Sequence, residues 1–552
     1  MGRRIGILNG FVATVPSDRL AQIKASEGIL SVTPDAQVQL NHMVDNFDPS
    51  EDMGSMFRTN ATIRARHMWR EGYRGRGIDI AMIDSGVVPV NGLTRPGKVI
   101  FGPDLSPESQ FEASADLDTY GHGTHMAGIM AGRDDLDEDS DIEGHDRFKG
   151  VAPQSRVLSV KVATASGATD VSQVLAAIDW VVQHRNDPGM NIKVLNLSFG
   201  TDGVQDYKLD PLAYAAEVAW RKGIVVVVAA GNSGFGTAKL NNPAYDPHVI
   251  AVGASDSKGT PDVADDTVPD WSSRGDGARN PDFVAPGKSI VGLRAPGSMI
   301  DEMNPQGKVN ERFFRGSGTS QSAAVVSGAA ALLLSQRPTL TPDQVKYLMV
   351  KTATPLPVAD VTAQGAGLIN LNKARVTATP SLAEATQNYP YSTGTGSLEA
   401  ARGNSHIVDG EGNILTGEQD IFGTPWDGQT WSGRTWSGQT WSGGDWNGRT
   451  WSGQTWSGQT WSGRTWSGQT WSGQTWSGRT WSGQTWSGRT WSGQTWSGQT
   501  WSGQTWSGQT WSGRTWSGQT WSGRTWSGVE WGDPQPVIEK VEQVVDSATS
   551  SA

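Results

Sequence analysis

The chain has 552 residues and a formal net charge of −11, length enough for two or more folding units at about 150 residues each. That charge argues against a protein that holds nucleic acid electrostatically. The lack of cysteine excludes disulfides, thiol catalysis and cysteine zinc sites. No apolar run reaches the ~18 residues that mark a transmembrane helix, so none is expected.

The N-terminus, MGRRIGILNGFVATVPS, has a basic start but no continuous apolar core and no small-residue cleavage site, so no signal peptide is visible in it. Residues 5–40 read as a β-α-β piece. Phe11–Val15 is a strand, Pro16, Ser17 and Asp18 open a helix with Leu20 and Ile23 on one face, and Gly28–Val32 resumes β character. This piece is too short to hold a core alone and must lean on something. A polar stretch over 43–60 reads as a linker.

From Ile78 short apolar runs alternate with helical stretches: Ile78–Ile83, Val157–Val162, Val194–Leu197, Ile224–Ala230 and Val249–Ala254. Continuous β-rich runs between helices predict an α/β fold, a mostly parallel sheet covered by helices on both faces. Functional groups in such sheets gather at the carboxyl ends of the strands. Three of the runs deliver Asp84, Ser198, and Gly231 with Asn232 there.

Four motifs stand out: Asp84-Ser85-Gly86, His122-Gly123-Thr124-His125, Ala230-Gly231-Asn232-Ser233, and Gly318-Thr319-Ser320 before an alanine-rich helix. Alone, each has a plain reading. Asp84 and Asn232 suit turns beside glycine, His122 and His125 could form a metal pair, and Ser320 could cap its helix. Together, and in this order, they resemble the subtilase (subtilisin-like) serine peptidases. Gly150-Val151-Ala152-Pro153, Asp282–Gly287 and Gly365–Asn370 are further matching landmarks.

The resemblance implies a serine endopeptidase acting on protein or peptide substrates. Ser320 is the nucleophile, His122 the base and Asp84 its orienter; the Asn232 amide and the Ser320 N–H hold the oxyanion. Ser198, Phe199 and Gly200 would pair with an extended substrate, and Ala230 with Gly231 would wall the pocket for the residue before the scissile bond. The small apolar walls suggest broad cleavage after large apolar residues. His125 is expected to be structural. Gln321 stands where the family usually has an oxidisable methionine.

Residues 1–42 resemble part of the family's inhibitory propeptide, implying self-processing between about Leu40 and Asn60. Asp134–Asp146 is strongly acidic and reads either as a solvated loop or as a structural Ca²⁺ site, carboxylates being suitable ligands. No cofactor is otherwise required.

The peptidase domain is expected over 61–375, followed by a linker over 376–425 with one hairpin around Gly410–Gly412. From Trp426 to Trp531 a tryptophan recurs at every fifth position in TWSGQ or TWSGR units, and an acidic tail covers 532–552. The Ser-Gly in each unit suggests a turn per repeat and a β-solenoid-like stack; disorder is the alternative. The repeat is mildly basic and could bind a cell-wall or polysaccharide surface or act as a spacer. Together these features point to a secreted or surface enzyme. The competing reading is a surface adhesion protein whose peptidase domain mainly processes itself.

Overall fold

A computed structural model describes residues 47–426 apart from 112–113, 135–143, 204, 235–238, 358, 409–412 and 422–424. It also describes pieces of 1–46 and the backbone of 436–446 and 451–532. The chain divides into two units, Met1–Asn46 and Phe47–Ala552.

In the first unit, β1 (Arg4–Ile5) pairs antiparallel with β2 (Gly10–Phe11), and α1 spans Leu20–Lys24. The helix lies where the Leu20 and Ile23 spacing puts it. Most of the strand expected over Phe11–Val15 falls outside the described residues. At the start of Gly28–Val32 the chain turns instead, with the Ile29 N–H bonded to the Ser26 carbonyl at 3.2 Å.

The second unit opens with α2 (Met56–Thr62) and α3 (Ala65–Arg70). The alternating part follows: β3 (Asp79–Asp84), β4 (Val99–Asp104), α4 (His122–Ala131), β5 (Arg156–Lys161), α5 (Val171–His184), β6 (Ile192–Leu197), α6 (Pro211–Arg221), β7 (Val225–Ala229), β8 (Ile250–Ser255) and β9 (Phe283–Pro286). These strands form one seven-stranded sheet in the order β4-β5-β3-β6-β7-β8-β9, parallel at every pairing. Parallel strands need helical crossovers, and those helices cover the sheet. All six residues of β3 and all five of β7 are buried, which is why they read as unbroken apolar runs. Two strands escape that reading. β4 is a half-exposed edge containing Gly102 and Pro103, and proline is tolerated in a sheet mainly at edges. β9 is only four residues long.

A hairpin of β10 (Ile290–Leu293) and β11 (Phe313–Gly316) brackets the short α7 (Met299–Met303). It leads directly into α8 (Thr319–Gln336), in which every residue from Thr319 to Leu334 is buried. A helix apolar or small on all sides belongs in a core. α8 packs on α4 and against β6, β7, β8 and β9. The unit is completed by α9 (Pro342–Thr352), α10 (Val361–Gln364), α11 (Leu371–Val376), α12 (Leu382–Ala385) and α13 (Leu398–Arg402).

Both stretches expected as linkers contribute structure to this unit. In 43–60, the Ser55 hydroxyl caps α2 and Met56 is buried. The Val291 N–H donates to the Gly54 carbonyl at 2.8 Å, and Asp52 pairs with Arg315. Polar composition misleads here because the polar groups are spent on caps and ion pairs, not on water. In 376–425, α13 buries Leu398, Ala401 and Arg402. Gly410–Gly412, expected to turn a hairpin, lie outside the described residues; beside them Val408 and Ile414 form an antiparallel bridge.

In the repeat, β12 (Trp436–Trp446) pairs parallel with the start of β13 (Trp451–Gly532), Trp436 opposite Trp451 and Trp446 opposite Trp461. The offset is fifteen residues, three repeat units. A straight strand of eleven residues spans about 36 Å, and four connecting residues reach at most about 14 Å. A parallel neighbour at that offset therefore requires the chain to bend within the run. The backbone is continuous strand across these units, without the turn at each repeat that the Ser-Gly pairs suggested.

Candidate active site

Asp84 ends β3, and His122 begins α4. The two meet because α4 starts against the turn that follows β3: a Cβ on Gly123 would lie 2.2 Å from the Gly86 carbonyl oxygen. Gly86 itself has φ 104°, in the region that favours glycine. The His122 Nδ1 lies 2.8 Å and 3.0 Å from the two Asp84 carboxylate oxygens. The Ser85 N–H also donates to Asp84, at 2.8 Å. Burial opposes charge on His122, but the charge and hydrogen bond of Asp84, with the more distant Asp118, outweigh it and hold the imidazole above its ordinary pKa.

At its other end α4 is held by Lys98, whose buried ammonium donates to the carbonyls of Ala131, Pro153 and Ser155 at 2.8–2.9 Å.

Ser320 stands in the first turn of α8. Gly318 occupies the N-cap position and supplies no side-chain cap of its own. The serine is therefore not a cap, and its own hydroxyl donates to the Ser198 carbonyl at 3.0 Å. A polar line supports that contact. The Ser198 hydroxyl donates to the Ser320 carbonyl at 3.2 Å, the Asn196 amide to the Ser198 hydroxyl at 2.9 Å, and the Ser327 hydroxyl to Asn196 at 2.9 Å.

Asn232 follows β7. Its Oδ1 accepts from the Thr319 N–H at 2.9 Å and from the Thr319 hydroxyl at 3.0 Å. That fixes which end of the amide is oxygen and leaves Nδ2 toward Gly318, where a Cβ would lie 3.4 Å from it.

Asp84, His122, Ser198, Phe199, Asn232 and Ser320 all line one cavity of about 730 Å³. His125 lines it too, buried and pushed down to about 4 by burial and by the neighbouring His122. An imidazole held that low is a weak base, and it stands one turn along the helix from His122. Gly200, Ala230 and Gly231 do not line this cavity. Gly200 sits against Asn241 and Asn242, while Ala230 and Gly231 lie at the end of β7 behind Asn232, the Gly231 N–H donating to the Thr319 hydroxyl at 3.2 Å.

The acidic loop lies mostly outside the described residues. Asp134, at its start, is engaged by Arg312 and accepts from the Phe148 N–H at 2.9 Å. No cluster of three or more metal-ligating side chains occurs among the described residues.

The motifs give Thr319 and Ser85 no role of their own, and Asp118 lies outside them. Thr319 orients Asn232, and the other two bind the start of α4. An aspartate four residues before the histidine was the only signal for Asp118.

Residues 75–388 match the subtilase family. The chain belongs to that family and so to the serine-type endopeptidases. Serine protease AprX of Bacillus subtilis is 36% identical over 302 residues, 54% of this chain and 65% of the relative's length. Subtilisin DY of Bacillus licheniformis is 32% identical over 314 residues, 56% of this chain and 96% of the relative. The minor extracellular protease Epr of Bacillus subtilis is 30% identical over 310 residues, 56% of this chain and 40% of the relative. The fold agrees with the subtilisin-like α/β reading. No described helix is long and apolar enough to cross a membrane.

Proposed function

We propose that this subtilase hydrolyses peptide bonds through Asp84, His122 and Ser320. The observation that carries the reading is the Asp84–His122 contact at 2.8 Å on the same cavity as Ser320 and Asn232. With Nδ1 committed to Asp84, Nε2 is the nitrogen through which His122 would take the Ser320 proton. The Ser320 hydroxyl must turn from the Ser198 carbonyl to reach it, an adjustment expected on substrate binding. Attack on the carbonyl carbon then gives a tetrahedral oxyanion, met by Asn232 Nδ2 and the Ser320 N–H at the positive end of α8. Collapse expels the amine, which leaves with the proton from His122. Water repeats the cycle on the acyl-enzyme.

Substrate would lie extended along Ser198, Phe199 and Gly200, consistent with two of these lining the cavity. Removal of residues 1–42 by the enzyme itself and secretion complete the reading; one relative is named a minor extracellular protease. The test is casein hydrolysis by the purified chain. Ser320→Ala should lower kcat by roughly 10⁶-fold, the order known for loss of the subtilisin serine. Retention of activity in that variant would sink the triad.

We also propose that the tryptophan repeat is a spacer or surface-binding tail. Its seven arginines against three acidic residues give it positive charge within an acidic chain. Comparing the full chain with one ended at residue 422 for retention on cell wall and polysaccharide separates the two roles.

A further inference from the structure

Four residues before the proposed base, Asp118 is fully enclosed and makes no ion pair among the described residues. Burying a carboxylate is costly unless hydrogen bonds repay it. Three offset part of that cost, although burial still holds the carboxyl above its ordinary pKa: the Ser85 hydroxyl donates at 2.7 Å, the Gly121 N–H at 2.6 Å and the Thr124 N–H at 2.7 Å. All three donors belong to the two segments that meet at the Asp84–His122 pair.

The Ser85 hydroxyl is shared ground. Its oxygen accepts from the Gly123 N–H at 2.9 Å, and it also lies 3.2 Å from Asp84 Oδ1. A hydroxyl has one hydrogen. The shorter contact to Asp118 takes it, so the Asp84 oxygen nearest His122 keeps its negative charge for the imidazole. Asp118 thus pins the start of α4, directs the Ser85 hydrogen away from Asp84, and adds a second negative charge on the His122 side.

We propose that Asp118 is a positioning residue for the peptidase reaction, acting through Ser85 and the α4 amides to keep Asp84 and His122 in register and His122 basic. This rests on the triad reading. The titratable groups facing His122 are Asp84, Asp118 and His125, and the last is uncharged above about pH 4. A shift in the acid limb on changing Asp118 therefore cannot be assigned to His125.

The experiment is the pH profile of kcat/KM on a peptide anilide for the full chain, Asp118→Asn and Ser85→Ala. Asp118→Asn keeps the shape, removes a charge, and sets a donating NH2 against at least one of the donors that Asp118 accepts from. Its acid limb should move down by about 0.5–1 pH unit, with kcat lower by roughly tenfold. Ser85→Ala keeps both carboxylates, so its limb should stay near the parent's while kcat falls several-fold through loss of the brace. A residue that merely stabilised the fold would lower Tm and leave the limb in place, and that result in Asp118→Asn overturns the proposal. If Asp118→Asn does not fold, Ser85→Ala decides: a kcat equal to the parent's removes the brace. Activity surviving in Ser320→Ala would instead defeat the triad reading, independently of Asp118.

Discussion

Arg402 and Asp170, 232 residues apart in sequence, form an ion pair in which both side chains are fully buried, with Nε 2.6 Å from Oδ2. Asp170 is also the N-cap of α5, its carboxylate accepting from the Ser172 N–H at 2.9 Å. The pair fastens α13 to the start of a sheet-covering helix. Breaking a buried pair from one side leaves an uncompensated charge, at about 3–5 kcal/mol. Arg402→Met is expected to lower unfolding free energy by that order, read by urea denaturation of the inactive Ser320→Ala chain. An unchanged midpoint would mean that the domain ends before α13.

His122 should govern the acid side of catalysis. A general base must be neutral, and Asp84 holds this imidazole above 6.5 in spite of burial. Activity is therefore expected to rise with pH through a midpoint above 6.5 and to fall away below it. Asp84→Asn should lower that midpoint and cost on the order of 10⁴ in kcat. The stability contribution of the pair has the opposite sense. It is fully present below the unfolded-state value and is lost as pH rises through the folded one. A midpoint at or below 6.5 in the parent would contradict the geometry.

Asn232→Ala removes the Nδ2 donor and also leaves the Thr319 N–H and hydroxyl without their acceptor. Loss of one oxyanion donor costs about 10²–10³ in kcat, a range taken from a subtilisin measurement. The expected result is a fall of that size with KM little changed, since the interaction is made mainly in the transition state. Equal losses in binding and turnover would place Asn232 on the substrate instead.

Gln321 follows the nucleophile and lines the same cavity. An amide there offers peroxide nothing to oxidise, whereas a thioether becomes a polar sulfoxide. The parent chain should keep most of its activity after peroxide treatment, and Gln321→Met should lose it progressively. Rapid inactivation of the parent would point to another methionine near the site.

Much of the site was legible because its signals are local. Asp84, His122, Asn232 and Ser320 each sit at a strand end or helix start, where short motifs reveal the turn that presents them. The central strands were legible for a related reason, since burial on both faces leaves unbroken apolar runs. What escaped depends on pairing across the chain. Nothing near Arg402 announces that its charge is buried on Asp170, and nothing near Ser55 announces that a polar stretch is folded. Asp118 escaped because its partners, Ser85 and the α4 amides, come together only after β3 and α4 have docked.

The fifteen-residue offset between β12 and β13 is a whole number of repeat units, so tryptophan stands opposite tryptophan and serine opposite serine. Deleting one unit between the paired segments would shorten the offset to about ten residues and still set like residues side by side. A deletion that is not a multiple of the unit would set unlike residues together, so the pairing tolerates change in length only in whole repeats.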